Sequence, residues 1–198
     1  IRFSRSEFIK NGVECLIRVG VEPNEVLALL KRKLSTIDET SLYGSLAKIE
    51  IIRQILALKM IENEETTKHL KKAIEYLELT FPGHPHHTTY AVVELFIENI
   101  DYLSSEITEN LWGNIYPHIS HNHISFKLIV ELINKLLEKE LLDTSSLMTT
   151  LLQEDANALE ASTICKILMG LPANCFDKQS IWFVLNNAND YYFFRYLE

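Results

Sequence analysis

Apolar residues recur along this chain at three- and four-residue intervals, and no apolar/polar alternation persists long enough to predict a strand. The spacing predicts about ten amphipathic helices. The first spans roughly 5–19: Ser4 and Glu7 form a capping box, Phe8, Val13, Leu16 and Ile17 recur on one side, and Gly20 ends it. The second opens at Pro23, a favourable first-turn residue, and runs to about Leu34. A third, about 41–60, carries Leu42, Leu46, Ile49, Ile52, Ile55 and Leu56, and Asn63 is the expected N-cap of a fourth reaching Leu79. Phe81-Pro82-Gly83-His84-Pro85 breaks that pattern before a fifth helix over about 87–100. Ser104 or Ser105 caps the sixth, expected to end near Tyr116 because the residue before Pro117 is pushed out of the α region. The seventh covers about 123–139, and Asp143 or Thr144 starts the eighth. The ninth, 157–169, is ended by Gly170-Leu171-Pro172, and Asp177 caps a tenth running to about Leu185.

The intervals carry further information. Helices three, five, seven and nine begin near 41, 87, 123 and 157, with one partner helix between each pair, which is the period of helical-hairpin repeats. Val93-Glu94-Leu95 recurs as Val130-Glu131-Leu132, Tyr90 has Phe126 in nearly the same place, and Pro85-His86-His87 is matched by His121-Asn122-His123. The expected organisation is one helical-repeat region over 1–198, with hairpins at about 5–34, 41–79, 87–116, 123–154 and 157–185 and a truncated helix at 190–198. The first residue is Ile1 and the aromatic-rich end stops mid-pattern, so the expectation is a piece of a longer chain.

On these residues the sequence resembles the HEAT and armadillo class of α-solenoid repeats. The segment from Pro85 through Tyr90 and Ala91 to Leu95 and Phe96 is similar to the inter-helix turn and inner-helix opening of a HEAT unit, with Ala91 at its small position. It departs from the family where HEAT units usually carry Asp in the turn and Arg early in the second helix. The resemblance implies an all-α fold, a right-handed superhelix of antiparallel helix pairs. Leu111-Trp112-Gly113-Asn114-Ile115 and Leu142-Asp143-Thr144-Ser145-Ser146-Leu147 are also similar to the helical-hairpin repeats of organellar RNA-binding proteins, whose period is comparable.

Composition narrows the function classes. Six Gly and five Pro in 198 residues disfavour a turn-rich sandwich or barrel. No apolar run reaches the ~18 residues of a membrane span. Three cysteines without close spacing suggest neither a disulfide framework nor a cysteine zinc site, so the expected setting is intracellular and reducing. The net charge of −8 is uneven: residues 1–60 hold ten Lys+Arg against seven Asp+Glu, the remainder nine against twenty. Phosphate neutralisation needs clustered cations, which disfavours nucleic acid over that remainder. Lys31-Arg32-Lys33 is read as a basic run facing the negative end of its helix.

Six of the seven histidines fall in two turns, His84, His86 and His87, then His118, His121 and His123. His84-x-His86 and His121-x-His123 have spacings that suit imidazole ligation of zinc, but no cysteine lies nearby, and helix-end hydrogen bonding explains them as well. Unperturbed imidazoles would also gain charge together on mild acidification. No metal or cofactor is expected. There is no phosphate-cradling Gly-rich loop, no GxSxG and no HExxH, so the chain is read as non-enzymatic. Cys165 reads as core, Cys175 as a loop thiol, and Trp112 and Trp182 as inter-helix packing. The expected function is a protein-interaction scaffold segment of a larger assembly. Its candidate surface is acidic, with Glu94, Glu98, Glu131 and Glu138 at spacings that share a helix face, complementary to a basic protein segment. The alternative is an RNA-binding repeat segment, for which Lys127, Lys135 and Lys139 form the one close set.

Overall fold

In the computed structural model of the chain, residues 5–38, 41–78, 86–119, 126–152 and 161–187 are described, and among them every regular element is helical. They divide into two units, 1–103 and 104–198. The boundary falls inside the expected hairpin 87–116.

The first unit holds α1 (Arg5–Arg18), α2 (Pro23–Thr36), α3 (Leu42–Ala57), α4 (Asn63–Glu78), α5 (His86–Glu98) and a 3-10 turn at Ile100–Tyr102. Its organising element is α3. Ile49, Ile51, Ile52, Ile55 and Leu56 point apolar groups all round the helix, and such a helix must be enclosed. It packs against α1, α2, α4 and α5. The odd-numbered helices therefore pack in series, α1 on α3 and α3 on α5, while α2 and α4 flank them. Val13, Val26, Leu30, Ile51 and Ile55 join α1, α2 and α3 in one apolar cluster.

The second unit holds α6 (Ser105–Ile119), α7 (Phe126–Glu138), α8 (Thr144–Leu152), α9 (Ala161–Met169), a 3-10 turn at Ala173–Cys175 and α10 (Lys178–Asn187). Ile129, Leu132, Ile133 and Leu136 bury one face of α7, each side chain contributing about 1.5–3 kcal/mol. α7 packs on α9, and α10 on both α8 and α9. Within this unit Gly170 does more than end α9. A Cβ there would lie 2.6 Å from Val130 Cγ1 and 2.7 Å from Cγ2, so the missing side chain is what lets the end of α9 meet α7.

Helix ends follow local chemistry. Ser41 Oγ accepts from Gly44 N–H at 3.1 Å, and Asp143 Oδ2 from Ser146 N–H at 2.9 Å. Asp177 and Ser180 cap α10 reciprocally: Asp177 Oδ1 accepts from Ser180 N–H at 2.7 Å and Ser180 Oγ from Asp177 N–H at 2.9 Å. Gly20, with φ +87°, ends α1 as expected, its turn closed by Val21 N–H on Leu16 C=O.

Several expectations need correction. Asn63 is the first helical residue of α4, not its cap, and Thr66 N–H donates to the Glu62 carbonyl before it. α3 stops at Ala57 because Lys59 turns left-handed at φ 53°, a role usually given to glycine. α6 runs through Pro117 to Ile119; so near the C-terminal end, the ring deprives the helix of only one late donor. On α1 the buried side runs through Ile9, Val13 and Leu16, leaving Phe8 78% and Ile17 45% exposed. Trp112 is buried, but Trp182 stands exposed on α10 beside Ile181 and Leu185. Cys175 is not an open loop thiol; its 3-10 turn buries it. Ser4 and the segment 190–198 lie outside the described residues. No helix among the described residues is long and apolar enough to cross a membrane.

Candidate functional site

Arg53 is the one arginine of α3, with Gln54 beside it and Glu50 one turn back, and its head reaches the α5 side. Nη1 donates to Glu50 Oε2 at 3.1 Å, one helical turn back. Nη2 donates to Glu94 Oε2 and to the Ala91 carbonyl, both at 3.2 Å, across to α5. Nε lies 3.0 Å from Glu98 Oε2 in ion-pair contact without hydrogen-bond alignment. One guanidinium thus serves three carboxylates. Glu50, only 5% exposed at its side chain, also accepts from Gln54 Nε2 at 2.8 Å, so its buried charge is fully engaged.

The α5 partners share a face because Tyr90, Glu94 and Glu98 are spaced by four. The Tyr90 hydroxyl hydrogen-bonds Glu94, which raises the phenol's pKa. Burial pushes the Glu98 carboxyl above the ordinary 4.5 of a glutamate, against the pull of Arg53 and with Glu94 and Glu50 adding to the rise. Glu98 nonetheless keeps half its side chain in solvent and Glu94 a third. The cluster holds α3 to α5 and leaves an excess of negative charge along the α5 face.

Glu131 and Glu138, in the second unit, are exposed on α7. They line a shallow groove of about 410 Å³ with Lys127, Val130, Asn134 and Lys135. The acidic surface expected from Glu94, Glu98, Glu131 and Glu138 therefore differs between α5 and α7. On α5 the glutamates crowd one arginine, whereas on α7 they alternate with lysines at helical spacing. The recurring tripeptide shares its burial at one position: Leu95 and Leu132 are fully buried, whereas Val93 is buried and Val130 half-buried, and Glu94 is partly covered while Glu131 is exposed. Phe126 takes the Lys166 ammonium 4.8 Å from its ring centre.

The basic run of α2 is not only a helix-end feature, since Lys31 pairs with Glu65 of α4. That pairing lowers the Glu65 pKa, while burial lowers that of His69, whose Nε2 lies 3.6 Å from Glu65. Among the candidate imidazole ligands, His84, His121 and His123 lie outside the described residues, and His86 is the first residue of α5. Among the described residues no group of three or more His, Cys, Asp and Glu side chains is placed to hold a metal ion. Burial raises the Cys165 pKa, as suits a core thiol.

Sequence reasoning missed Arg53 because its α5 partners are 38 and more residues away. The signal available was an arginine set among isoleucines, three residues after a glutamate, on a helix rich in apolar positions. No protein family model, no curated protein and no solved structure matches this chain.

Proposed function

We propose that the chain is a non-enzymatic scaffold segment that docks a basic protein or peptide segment on acidic helix faces. The observation that carries this reading is the three-to-one ratio of carboxylates to guanidinium around Arg53, which leaves Glu94 and Glu98 partly exposed and able to accept a second cation. Lysine or arginine side chains of a partner supply that cation through charge-assisted hydrogen bonds. Glu131 and Glu138 on α7 offer further acceptors, each diluted by neighbouring lysines. In this reading the helix pairs are units of a HEAT-like right-handed α-solenoid. It is supported by the serial packing of α1 on α3 and α3 on α5 and by the matching burial of Leu95 on α5 and Leu132 on α7.

The test is fluorescence anisotropy with a labelled lysine-rich peptide. Glu98→Gln, Glu131→Gln and Glu138→Gln conserve side-chain shape at exposed positions, and circular dichroism with a denaturation curve checks that the triple variant stays folded. The triple variant is expected to bind about tenfold more weakly, with wild-type binding falling as salt is raised. Equal binding by wild type and variant would refute the acidic-face reading. Tight, salt-dependent binding of single-stranded RNA instead would favour the RNA-binding alternative.

A further inference from the structure

The one histidine outside the two turns is His69, and it belongs to a cluster that joins two helices of the first unit. α2 and α4 each pack on α3, and an open cleft of about 1200 Å³ lies between them. The Lys31–Glu65 ion pair bridges the two helices at this cleft, from α2 to the first turn of α4. His69 follows Glu65 by four residues, so the two side chains share one face of α4. Its Nε2 is buried and lies 3.6 Å from Glu65 Oε1, beyond hydrogen-bond reach. That oxygen is the one holding the Lys31 ammonium, so it faces two cations once the imidazole takes a proton.

The three side chains differ in what separation costs them. Lys31 and Glu65 keep 41% and 38% of their side chains exposed, so their pairing is of the weak surface kind and either head can return to water. His69 keeps only 14%. Burial opposes its charged form most, Glu65 favours that form, and Lys31 and Lys68 oppose it, so the imidazole stays neutral to below the ordinary 6.5. Glu65, drawn down chiefly by Lys31, is still a carboxylate where His69 titrates. Lys48 of α3 and Glu62, Glu64, Lys71, Lys72 and Glu75 are the other charges lining the cleft. Its five lysines and four glutamates are nearly balanced, and a single proton on His69 shifts that balance.

We propose that His69 is a proton-operated release for α2: on mild acidification its imidazolium takes Glu65 from Lys31, and the cleft between α2 and α4 opens. One proton passes from solvent to the ring, a His69–Glu65 ion pair forms, and the Lys31–Glu65 pair breaks. Lys31 is the partner that leaves because its ammonium regains water on departure, whereas the imidazolium remains half-buried on the same helix as Glu65 and needs that carboxylate. Repulsion between the new charge and Lys31 acts in the same direction. α2 is then held by its packing on α1 and α3.

NMR of the intact chain between pH 7.5 and 4.5 tests this, following the His69 ring, the Glu65 carboxyl carbon, the Lys31 ammonium and the NOEs between the Lys31 and Glu65 side chains. All are expected to change with one midpoint, below 6.5, and the NOEs to be lost through it. Lys31→Met removes a repelling charge and is expected to raise the His69 midpoint, whereas Glu65→Gln removes the attracting one and is expected to lower it. In His69→Gln the Lys31 and Glu65 signals are expected to stay still until Glu65 itself titrates. Lys31→Met and Glu65→Gln alter partly exposed side chains, so they decide the matter even where His69→Gln fails to fold. Three results would overturn the proposal: His69 titrating while the Lys31 and Glu65 signals and their NOEs persist, a His69 midpoint indifferent to Lys31→Met, or release of Lys31 at the same pH in His69→Gln.

Discussion

The α3–α5 joint of the first unit and the α7–α9 joint of the second both connect alternate helices along the chain, yet they are built by different chemistry. The first is ionic, with one guanidinium reaching Glu50 on its own helix and Glu94, Glu98 and the Ala91 carbonyl on the other. The second is a close contact, made where Gly170 lets Val130 approach and where the Lys166 ammonium lies over the Phe126 ring. An ionic joint tolerates small displacements but must keep its charges matched. The contact joint sets one cation on an aromatic face rather than against carboxylates, and leaves no room at Gly170. The first therefore leaves carboxylates available to a partner, and the second is sensitive to a single methyl group.

Breaking the ionic joint should have the largest effect. Arg53→Ala strands the buried Glu50 carboxylate, and the expected loss is about 3 kcal/mol, at the low end for a buried pair because Arg53 keeps 20% exposure. Denaturant midpoints measure it, and amide exchange should place the lost protection in the first unit. Arg53→Met/Glu50→Met is expected to recover part of the loss, since no buried charge is left unpaired. At the contact joint, Gly170→Ala is expected to cost about 2 kcal/mol by overpacking. Adding Val130→Ala should relieve it, and the two substitutions together should then cost less than their separate effects summed. Asp177→Ala removes the α10 cap and is expected to lower the denaturant midpoint of the second unit by less than Gly170→Ala does. Smaller still, Glu140→Gly at the end of α7 should stabilise by about 0.5–1 kcal/mol, because Glu140 holds a left-handed φ of 55° that glycine adopts without strain.

Acidification should separate the two units by sign. The folded Glu98 pKa is raised, so its contribution is full below the ordinary 4.5 and is lost as pH rises through the folded value. The Asp177 pKa is lowered, first by the Ser180 N–H, so its contribution is present above the ordinary 3.8 and lost as pH falls through the folded value. Glu98→Gln should remove the first slope from the unfolding free energy and Asp177→Asn the second, both read from denaturation series between pH 3 and 7.

Local features were legible where one residue type has one dominant use. Gly20 at a helix end and Asp177 before a helix each have a physical meaning that needs no tertiary context, whereas the spacing of α3 reads as one more amphipathic helix although it is buried on most sides. Lys59 and Glu140 were not legible as helix ends, since both adopt the left-handed turn without glycine. Phe8 and Ile17 were assigned to the buried side of α1 because periodicity finds an apolar stripe but not its limits. The candidate glutamates were legible as a charge pattern only. That Glu94 and Glu98 share Arg53 depends on packing α3 against α5, which no short-range spacing encodes. Lys31 illustrates the same limit, because its partner Glu65 lies on another helix.

The central claim is that the Arg53-centred carboxylates form a docking face for a basic segment. Backbone and side-chain NMR of the intact chain, titrated with a lysine-rich peptide, tests it most directly. The account predicts the largest shift changes at Tyr90, Glu94 and Glu98 on α5, with smaller ones at Glu131 and Glu138 on α7, all diminishing as salt is raised. Shifts scattered over the surface, or an α5 face that remains silent while the peptide binds elsewhere, would contradict it.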